Sequence, residues 1–384
     1  MSRLKHLLRL NYGDALAADK REEGEIPVFG SNGPVGTHSV ANTSAPTILV
    51  GRKGSFGKVV WSDLPGFCID TAYYVDERSC AGDLRFSFYA LQSLGLDTTS
   101  RDTGVPGLSR EDAHDRRLAI PSREEQTAIA RFLDRETARI DGLIEKKGRF
   151  IELLKEKRAA LITHAVTKGI DAGVPMKDGG FKALGSIPEH WNLHPLGRAL
   201  RLNKRTVGKR HADFTLLSLT TRGIIVRDIS ENAGKFPESF ETYQEVCPGN
   251  FVFCLFDMDE TPRTVGRSEV AGMITGAYSV FECIDPVYSS FLLYLFLHLD
   301  TCKGLKPFYT GLRKTIRPPR FASIRVPFPP VEEAARIVSY IEDQTARIDG
   351  LISKTDRSIE LLKEKRSALI TAAVTGKIDV RNAA

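Results

Sequence analysis

The sequence predicts a mixed α/β (α+β) chain in which two globular modules are each followed by a long helix, and three observations carry that expectation. First, the stretch from Glu124 to Asp171 aligns without a gap on Glu332 to Asp379, a constant offset of 332 − 124 = 208, with about 30 of 48 positions identical. TARIDGLI recurs at Thr137 and Thr345, and IELLKEKR at Ile151 and Ile359. Second, the remainder repeats faintly with a drifting offset. Leu4, Arg9, Leu10 and Asn11 match Leu196, Arg201, Leu202 and Asn203; Leu94, Leu96 and Asp97 match Leu297, Leu299 and Asp300; Gly107-Leu108 matches Gly311-Leu312. Third, 384 residues exceed the usual size of a single core, so two domains are expected. Each half therefore reads as a variable module followed by a fixed one.

In the first module, apolar β-rich runs at Thr47 to Val50, Lys58 to Trp61 and Ala72 to Val75 are punctuated by glycine turns. Between the first two lies GRKGSFGK, Gly51 to Lys58. It is not a phosphate-binding P-loop, because the glycine spacing fails and Val59 stands where Ser or Thr is required. A glycine turn bearing Arg52, Lys53, Ser55 and Lys58 can still bring cations and backbone N–H groups to phosphates or base edges; a solvated hairpin is the bland alternative. The second module has comparable runs at Thr215 to Leu219, Gly223 to Val226, Phe251 to Phe256 and Ser279 to Ile284. Its cations cluster at Lys204 and Arg205, at Arg263 and Arg267, and at Arg313 and Lys314, and such loop clusters fit a nucleic-acid groove better than a core.

The fixed modules are helical. Ile140, Ile144, Ile151, Leu154 and Leu161 fall on alternating four- and three-residue steps, the a/d seam of a coiled coil, and Ile348, Ile352, Ile359, Leu362 and Leu369 repeat it. Lys147, Arg158, Thr355 and Arg366 interrupt the seam with polar groups that can fix register. Each helix is expected to extend about 30 residues, or roughly 45 Å. Its own repeat is the nearest partner, and the spacing is compatible with either parallel or antiparallel pairing.

Lys and Arg outnumber Asp and Glu by 54 to 48, which suits a polyanion partner without requiring one. The six cysteines form no C-x-x-C pair, so neither a disulfide framework nor a cysteine zinc site is signalled, and a reducing cytoplasm is the expected compartment. Charges interrupt the apolar residues of the N-terminus as they do not in a signal peptide, and Phe291 to Leu297 is too short to span a bilayer, so no membrane partner is expected. No G-x-S-x-G, H-E-x-x-H, Walker A or dinucleotide fingerprint occurs, nor an Asn or Asp followed by Pro-Pro-Tyr or Pro-Pro-Phe. His190 and His194 have i, i+4 spacing without a third ligand, which favours surface or packing roles over zinc. No catalytic, metal or cofactor site is expected in this chain.

In combination these segments resemble the specificity subunit of Type I restriction-modification systems over nearly the whole chain. IPVFGSNGPVGTHS (Ile26 to Ser39), ILVGRKGSFGKVVW (Ile48 to Trp61) and IDTAYYV (Ile69 to Val75) resemble one family of its recognition domains. GSIPEHW (Gly185 to Trp191) resembles the usual entrance to a second domain, and YTGLRK (Tyr309 to Lys314) with PPVEE (Pro329 to Glu333) its exit. The first module begins without a counterpart of IPEHW. The resemblance implies two target-recognition domains in pseudo-twofold repeat, separated by two long antiparallel coiled-coil helices. It also implies a non-catalytic subunit that reads a bipartite, asymmetric site in double-stranded DNA and docks two methyltransferase subunits on those helices. Restriction/translocase subunits would complete the complex, and S-adenosylmethionine, ATP and Mg2+ would belong to the partners.

The expected boundaries are 1–121 for the first recognition domain, 122–171 for the central helix region, 172–187 for a Gly-, Lys- and Pro-rich linker, 188–329 for the second recognition domain and 330–384 for the distal helix region. A coiled-coil scaffold without a DNA role is the alternative, but it would not need globular modules that vary while the helices stay fixed.

Overall fold

The computed structural model describes residues 1–98, 107–227 and 239–380. The chain divides into two compact units, one formed by residues 1–150 with 354–384 and the other by residues 151–353. Each unit contains a globular module and segments of both long helices.

The first unit is organised on a four-stranded antiparallel sheet. Its strands are β1 (Asn11–Tyr12), β2 (Thr47–Gly51), β3 (Val59–Ser62) and β4 (Ala72–Asp76), in the order β1-β4-β2-β3. Ile48, Val50, Tyr73 and Val75 point from it into a core completed by Phe86, Ala90 and Leu91 of helix α1 (Leu84–Ser93). Asp83 starts that helix by accepting from the Phe86 N–H, an N-cap that satisfies one of the helix's orphan donors. The IPVFGSNGPVGTHS segment is a separate hairpin, Ile26–Gly30 against Gly33–His38.

The second unit repeats the four-stranded plan with β5 (Leu200–Asn203), β6 (Phe251–Phe253), β7 (Val265–Arg267) and β8 (Ser279–Cys283), in the order β5-β8-β6-β7. Register fixes the equivalence residue by residue. Asn11 opposes Tyr74, which opposes Leu49, which opposes Val60. Asn203 likewise opposes Val280, Val252 and then Gly266 in turn. Larger aromatic residues fill this second core: Phe253 lies 4.7 Å from Phe321 and 4.9 Å from Phe296 of helix α3 (Ser289–Thr301), ring centroid to centroid.

One sequence match shifts. The Leu108 N–H donates to the Arg52 carbonyl, and the Ile316 N–H donates to the equivalent Leu255 carbonyl. Leu108 therefore corresponds to Ile316, four residues beyond the Leu312 that letter matching selects. Burial agrees, because Leu108 and Ile316 are buried whereas Leu312 is fully exposed.

The long helices are α2 (Arg123–Lys168, 46 residues) and α4 (Val331–Val374, 44 residues), not the expected 30. At 1.5 Å per residue they extend roughly 69 and 66 Å. The extra length lies largely before the seam: Ile129 and Leu133 in α2, and Ile337 and Ile341 in α4, pack into the module cores. In the first unit Arg366 pairs with Asp141 at 2.9 Å, while Ile370, Ala373 and Val374 share a core with Ile129, Ala130 and Leu133. In the second, Arg158 pairs with Asp349 at 3.2 Å, and Arg336 with Asp171, beyond the end of α2, at 2.8 Å. As one partner's number rises the other's falls, so the pairing within each unit is antiparallel. Ile140, Ile151, Leu154 and Ile348 are buried on the seam, and Ile144, Leu161, Ile352, Ile359, Leu362 and Leu369 are half-buried. Towards the helix C-termini burial passes from Leu161 and Leu369 to Ile162 and Ile370, the drift expected when a 3.6-residue helix meets a 3.5-residue repeat.

The segment expected as a linker is folded. Met176–Asp178 pairs with Ser186–Pro188 as a two-stranded sheet, and Leu184 and Ile187 enter the second core. Its glycines make turns, since Gly173, Gly180 and Gly185 all have positive φ, but its apolar residues are spent on packing rather than exposed in a tether.

Candidate nucleic-acid interface

The loop joining β2 to β3 presents the first cation group. Gly51 donates to the Lys58 carbonyl and Gly57 to the Gly51 carbonyl, each at 2.8 Å, closing a tight turn. Gly57 has φ +76°, and a Cβ there would lie 2.4 Å from the Leu96 backbone, so this position requires glycine. Arg52 is half-buried and held: its guanidinium donates to the Asp70 carbonyl at 3.0 Å and lies 4.9 Å from the Tyr12 ring centroid. Behind it, burial pushes the Tyr73 phenol up to about 12, and the neutral hydroxyl donates to the Leu108 carbonyl. Lys53, Ser55 and Lys58 are exposed. Lys58 donates to the Asn32 carbonyl at 3.1 Å, and among the described residues no carboxylate pairs with Lys53 or Lys58. This turn offers two ammonium groups and a positioned guanidinium, the equipment for phosphate or base-edge contact.

The equivalent loop between β6 and β7 is three residues longer and different in charge. It carries Asp257, Asp259 and Glu260 in place of the first loop's cations. Asp257 adopts φ +46°, and its N–H donates to the Arg313 carbonyl. Thr310 and Thr315 exchange backbone hydrogen bonds, so Gly311 to Lys314 form the tip of a small turn beside the acidic loop. There Arg313 pairs with Asp257 at 2.9 Å, and Lys314 with Glu260 at 2.8 Å and Asp259 at 3.2 Å. The hydrogen bond from Arg313 to Asp257 raises the guanidinium pKa, and those from Lys314 to Glu260 and Asp259 raise the ammonium pKa. Lys306 pairs with Asp259 at 3.4 Å.

The remaining cations of the second module divide by burial. Arg263 is half-buried, its guanidinium 3.8 Å from the buried carboxylate of Asp300 and 3.4 Å from the Thr221 carbonyl. Arg267 donates to the Ser289 and Ser290 hydroxyls at the start of α3, a packing role visible only in three dimensions. Lys204 and Arg205 are exposed just after β5, and among the described residues neither side chain has an ion-pair partner. Sequence reading missed the counter-ions Asp257, Asp259 and Glu260, although three carboxylates in four residues were visible in DMDE.

His190 and Trp191 converge on the first turn of α4. The Trp191 indole N–H donates to Glu333 Oε1 at 3.0 Å, and His190 Nε2 lies 2.7 Å from Oε2. This joins the entrance segment GSIPEHW to the exit segment PPVEE. The equivalent of Glu333 in the first repeat is Glu125, which instead caps its own helix through Ser122.

Among the described residues no group of three or more His, Cys, Asp or Glu side chains could hold a metal ion, and no helix is long and apolar enough to cross a membrane. The six cysteines are free.

Residues 1–152 match the family described as the Type I restriction modification DNA specificity domain. That match covers the first globular module and the start of the first long helix. It is similar to the Type I restriction enzyme MjaVIII specificity subunit of Methanocaldococcus jannaschii, 22% identical over 357 residues that cover 87% of this chain and 80% of that one. It is also similar to the EcoBI specificity subunit of Escherichia coli, 25% identical over 31% of this chain and 26% of that one. A solved structure described as the structural basis underlying complex assembly and conformational transition of the type I R-M system shares the fold. It is 13% identical, with a TM-score of 0.60, over 98% of this chain and 97% of that one. Both relatives are named as specificity subunits of Type I restriction enzymes.

Proposed function

We propose that the chain reads a bipartite, asymmetric target in double-stranded DNA through its two modules and carries two methyltransferase subunits on α2 and α4. The observation that carries this reading is the repeated four-stranded sheet whose equivalent loops differ. One strand plan presents Arg52, Lys53, Ser55 and Lys58 in the first unit, and Arg263, Arg313 and Lys314 with their carboxylate partners in the second. Two different reading surfaces on one plan suit two unlike half-sites. Lys204, Arg205 and Arg267 belong to the same proposed interface, Arg267 through its hold on α3.

Two long helices that repeat the same segments, TARIDGLI and IELLKEKR among them, suit two like partners, and their exposed faces carry the repeated charged residues, Lys155 and Lys157 among them. Restriction/translocase subunits complete the proposed assembly in the cytoplasm, and S-adenosylmethionine, ATP and Mg2+ act in those partners. The proposed recognition domains are 1–121 and 188–329, with 122–171 and 330–384 as helix regions and the folded segment 172–187 joining the halves.

The test is co-expression with a Type I methyltransferase subunit in a methylation-free host, followed by single-molecule methylation sequencing. Two short specific blocks flanking an unread spacer are expected, appearing only when this chain is present. A continuous or palindromic motif would overturn the two-module reading.

A further inference from the structure

The same two loops do not offer DNA the same charge, and this inference deepens the proposed function and rests on it. In the first module Lys53 and Lys58 stand exposed on a loop without carboxylates, and among the described residues neither has an acidic partner. In the second, the exposed Arg313 and Lys306 and the half-buried Lys314 each lie within 3.4 Å of a carboxylate of Asp257, Asp259 or Glu260. Three cations against three anions leave this patch neutral. A phosphate approaching the first loop meets net positive charge. A phosphate approaching the second must displace a carboxylate already in hydrogen-bond contact and then remain beside it.

We infer that the two equivalent loops divide the electrostatic work: the first captures DNA of any sequence through its backbone, while Asp257, Asp259 and Glu260 screen the cations beside the second, Lys306, Arg313 and Lys314, so that this patch adds little to non-specific binding. Affinity for backbone grows with the number of phosphates neutralised, about 0.9 in the salt slope for each on duplex DNA. Screening this patch therefore lowers its binding to random sequence and leaves its contribution to geometry that only the correct half-site satisfies. Exposed ion pairs of this kind are weak enough to exchange with a well-placed partner. The screen is thus a filter and not a block.

The experiment titrates the full chain against a fluorescein-labelled random-sequence duplex at several salt concentrations. Two matched doubles are compared, Lys53→Ala with Lys58→Ala, and Arg313→Ala with Lys314→Ala. The first should lose roughly tenfold or more in affinity and flatten the salt slope by about 1.8, whereas the second should change affinity less than about twofold. The triple Asp257→Asn, Asp259→Asn, Glu260→Gln should bind random duplex more tightly with a steeper slope, a gain that misfolding does not imitate. Adding Arg313→Ala and Lys314→Ala to that triple should remove the gain. Equal losses from the two doubles, or a triple that binds no better, would overturn the division of labour while leaving DNA reading intact. A wild-type chain that binds neither random nor cognate duplex would instead sink the proposed function itself.

Discussion

The β2–β3 loop and the β6–β7 loop occupy equivalent places in two equivalent sheets, yet they solve the approach to the segment packed beside them in opposite ways. In the first unit Gly57 brings bare backbone against Leu96 and Asp97, and Asp97 is exposed. In the second the equivalent residue is Arg263, which reaches the buried Asp300, and Asp300 also accepts from the Thr264 N–H and hydroxyl and from Lys303. One loop is held by the absence of a side chain, the other by a charged knot. The lesson is that a shared strand plan constrains where a loop begins and ends, and leaves its means of anchoring, and with it its surface charge, free to diverge.

Breaking the charged knot should have the largest effect. Asp300→Ala removes the counter-charge of Arg263 and Lys303 and the acceptor of two Thr264 groups, so the second unit should lose about 3–4 kcal/mol. Asp97→Ala, at an exposed carboxylate, should fall within about 0.5 kcal/mol of wild type. Hydrogen exchange followed peptide by peptide would locate each loss, and equal effects would break the comparison. Next in size, Gly57→Ala must place a Cβ 2.4 Å from backbone at positive φ, and should cost the first unit about 2–3 kcal/mol. Arg263→Gly, its counterpart, should be tolerated sterically and cost only the contacts to Asp300 and the Thr221 carbonyl. Urea denaturation of both variants checks the order.

Helix starts give a second contrast. Glu333→Ala removes the acceptor of the fully buried Trp191 indole and should cost about 1–3 kcal/mol, whereas Glu125→Ala loses only an exposed capping contact worth about 0.5–1 kcal/mol. Trp191 fluorescence should red-shift in the first variant alone, and an unshifted spectrum would show that the indole is anchored otherwise.

These contrasts also mark what letters alone reveal. The helix repeat is legible because pairing in each unit uses the same residues twice, Asp141 with Arg366 and Asp349 with Arg158, which preserves identity at both copies. The sheets are legible as apolar runs, since Ile48 and Val50 or Phe251 and Phe253 must face a core. What failed depended on contacts distant in sequence. The Leu108 equivalence is set by a hydrogen bond to Arg52, so it follows Ile316 and not the matching letters at Leu312. Arg313 is 56 residues from its counter-ion Asp257, and Arg267 is 22 from Ser289, so neither partner was visible in the local composition that marked them as free cations. The segment 172–187 looked like a tether because turns and tethers share glycine, and only the burial of Leu184 and Ile187 distinguishes them.

The smallest predicted difference is one of pH. His114 accepts a hydrogen bond from the Leu10 N–H through Nε2, which requires the neutral ring. Burial first, then the neighbouring Arg110 charge, lowers its pKa below the ordinary 6.5. Its counterpart in the second module, placed by the Leu108 and Ile316 equivalence, is Ala322, which cannot titrate. The folded state therefore binds fewer protons at His114 than the unfolded chain does in the window below about pH 6.5. Stability of the first unit should rise with pH through that window, level off above it, and fall as the ring is forced to protonate. His114→Gln, whose amide side chain does not titrate, should flatten this part of the profile for the first unit and leave the second unchanged. Denaturation midpoints at pH 5.5 and 7.5, resolved by peptide-level exchange, provide the readout. An unaltered slope in the variant would assign the pH dependence to another group and erase this distinction between the modules.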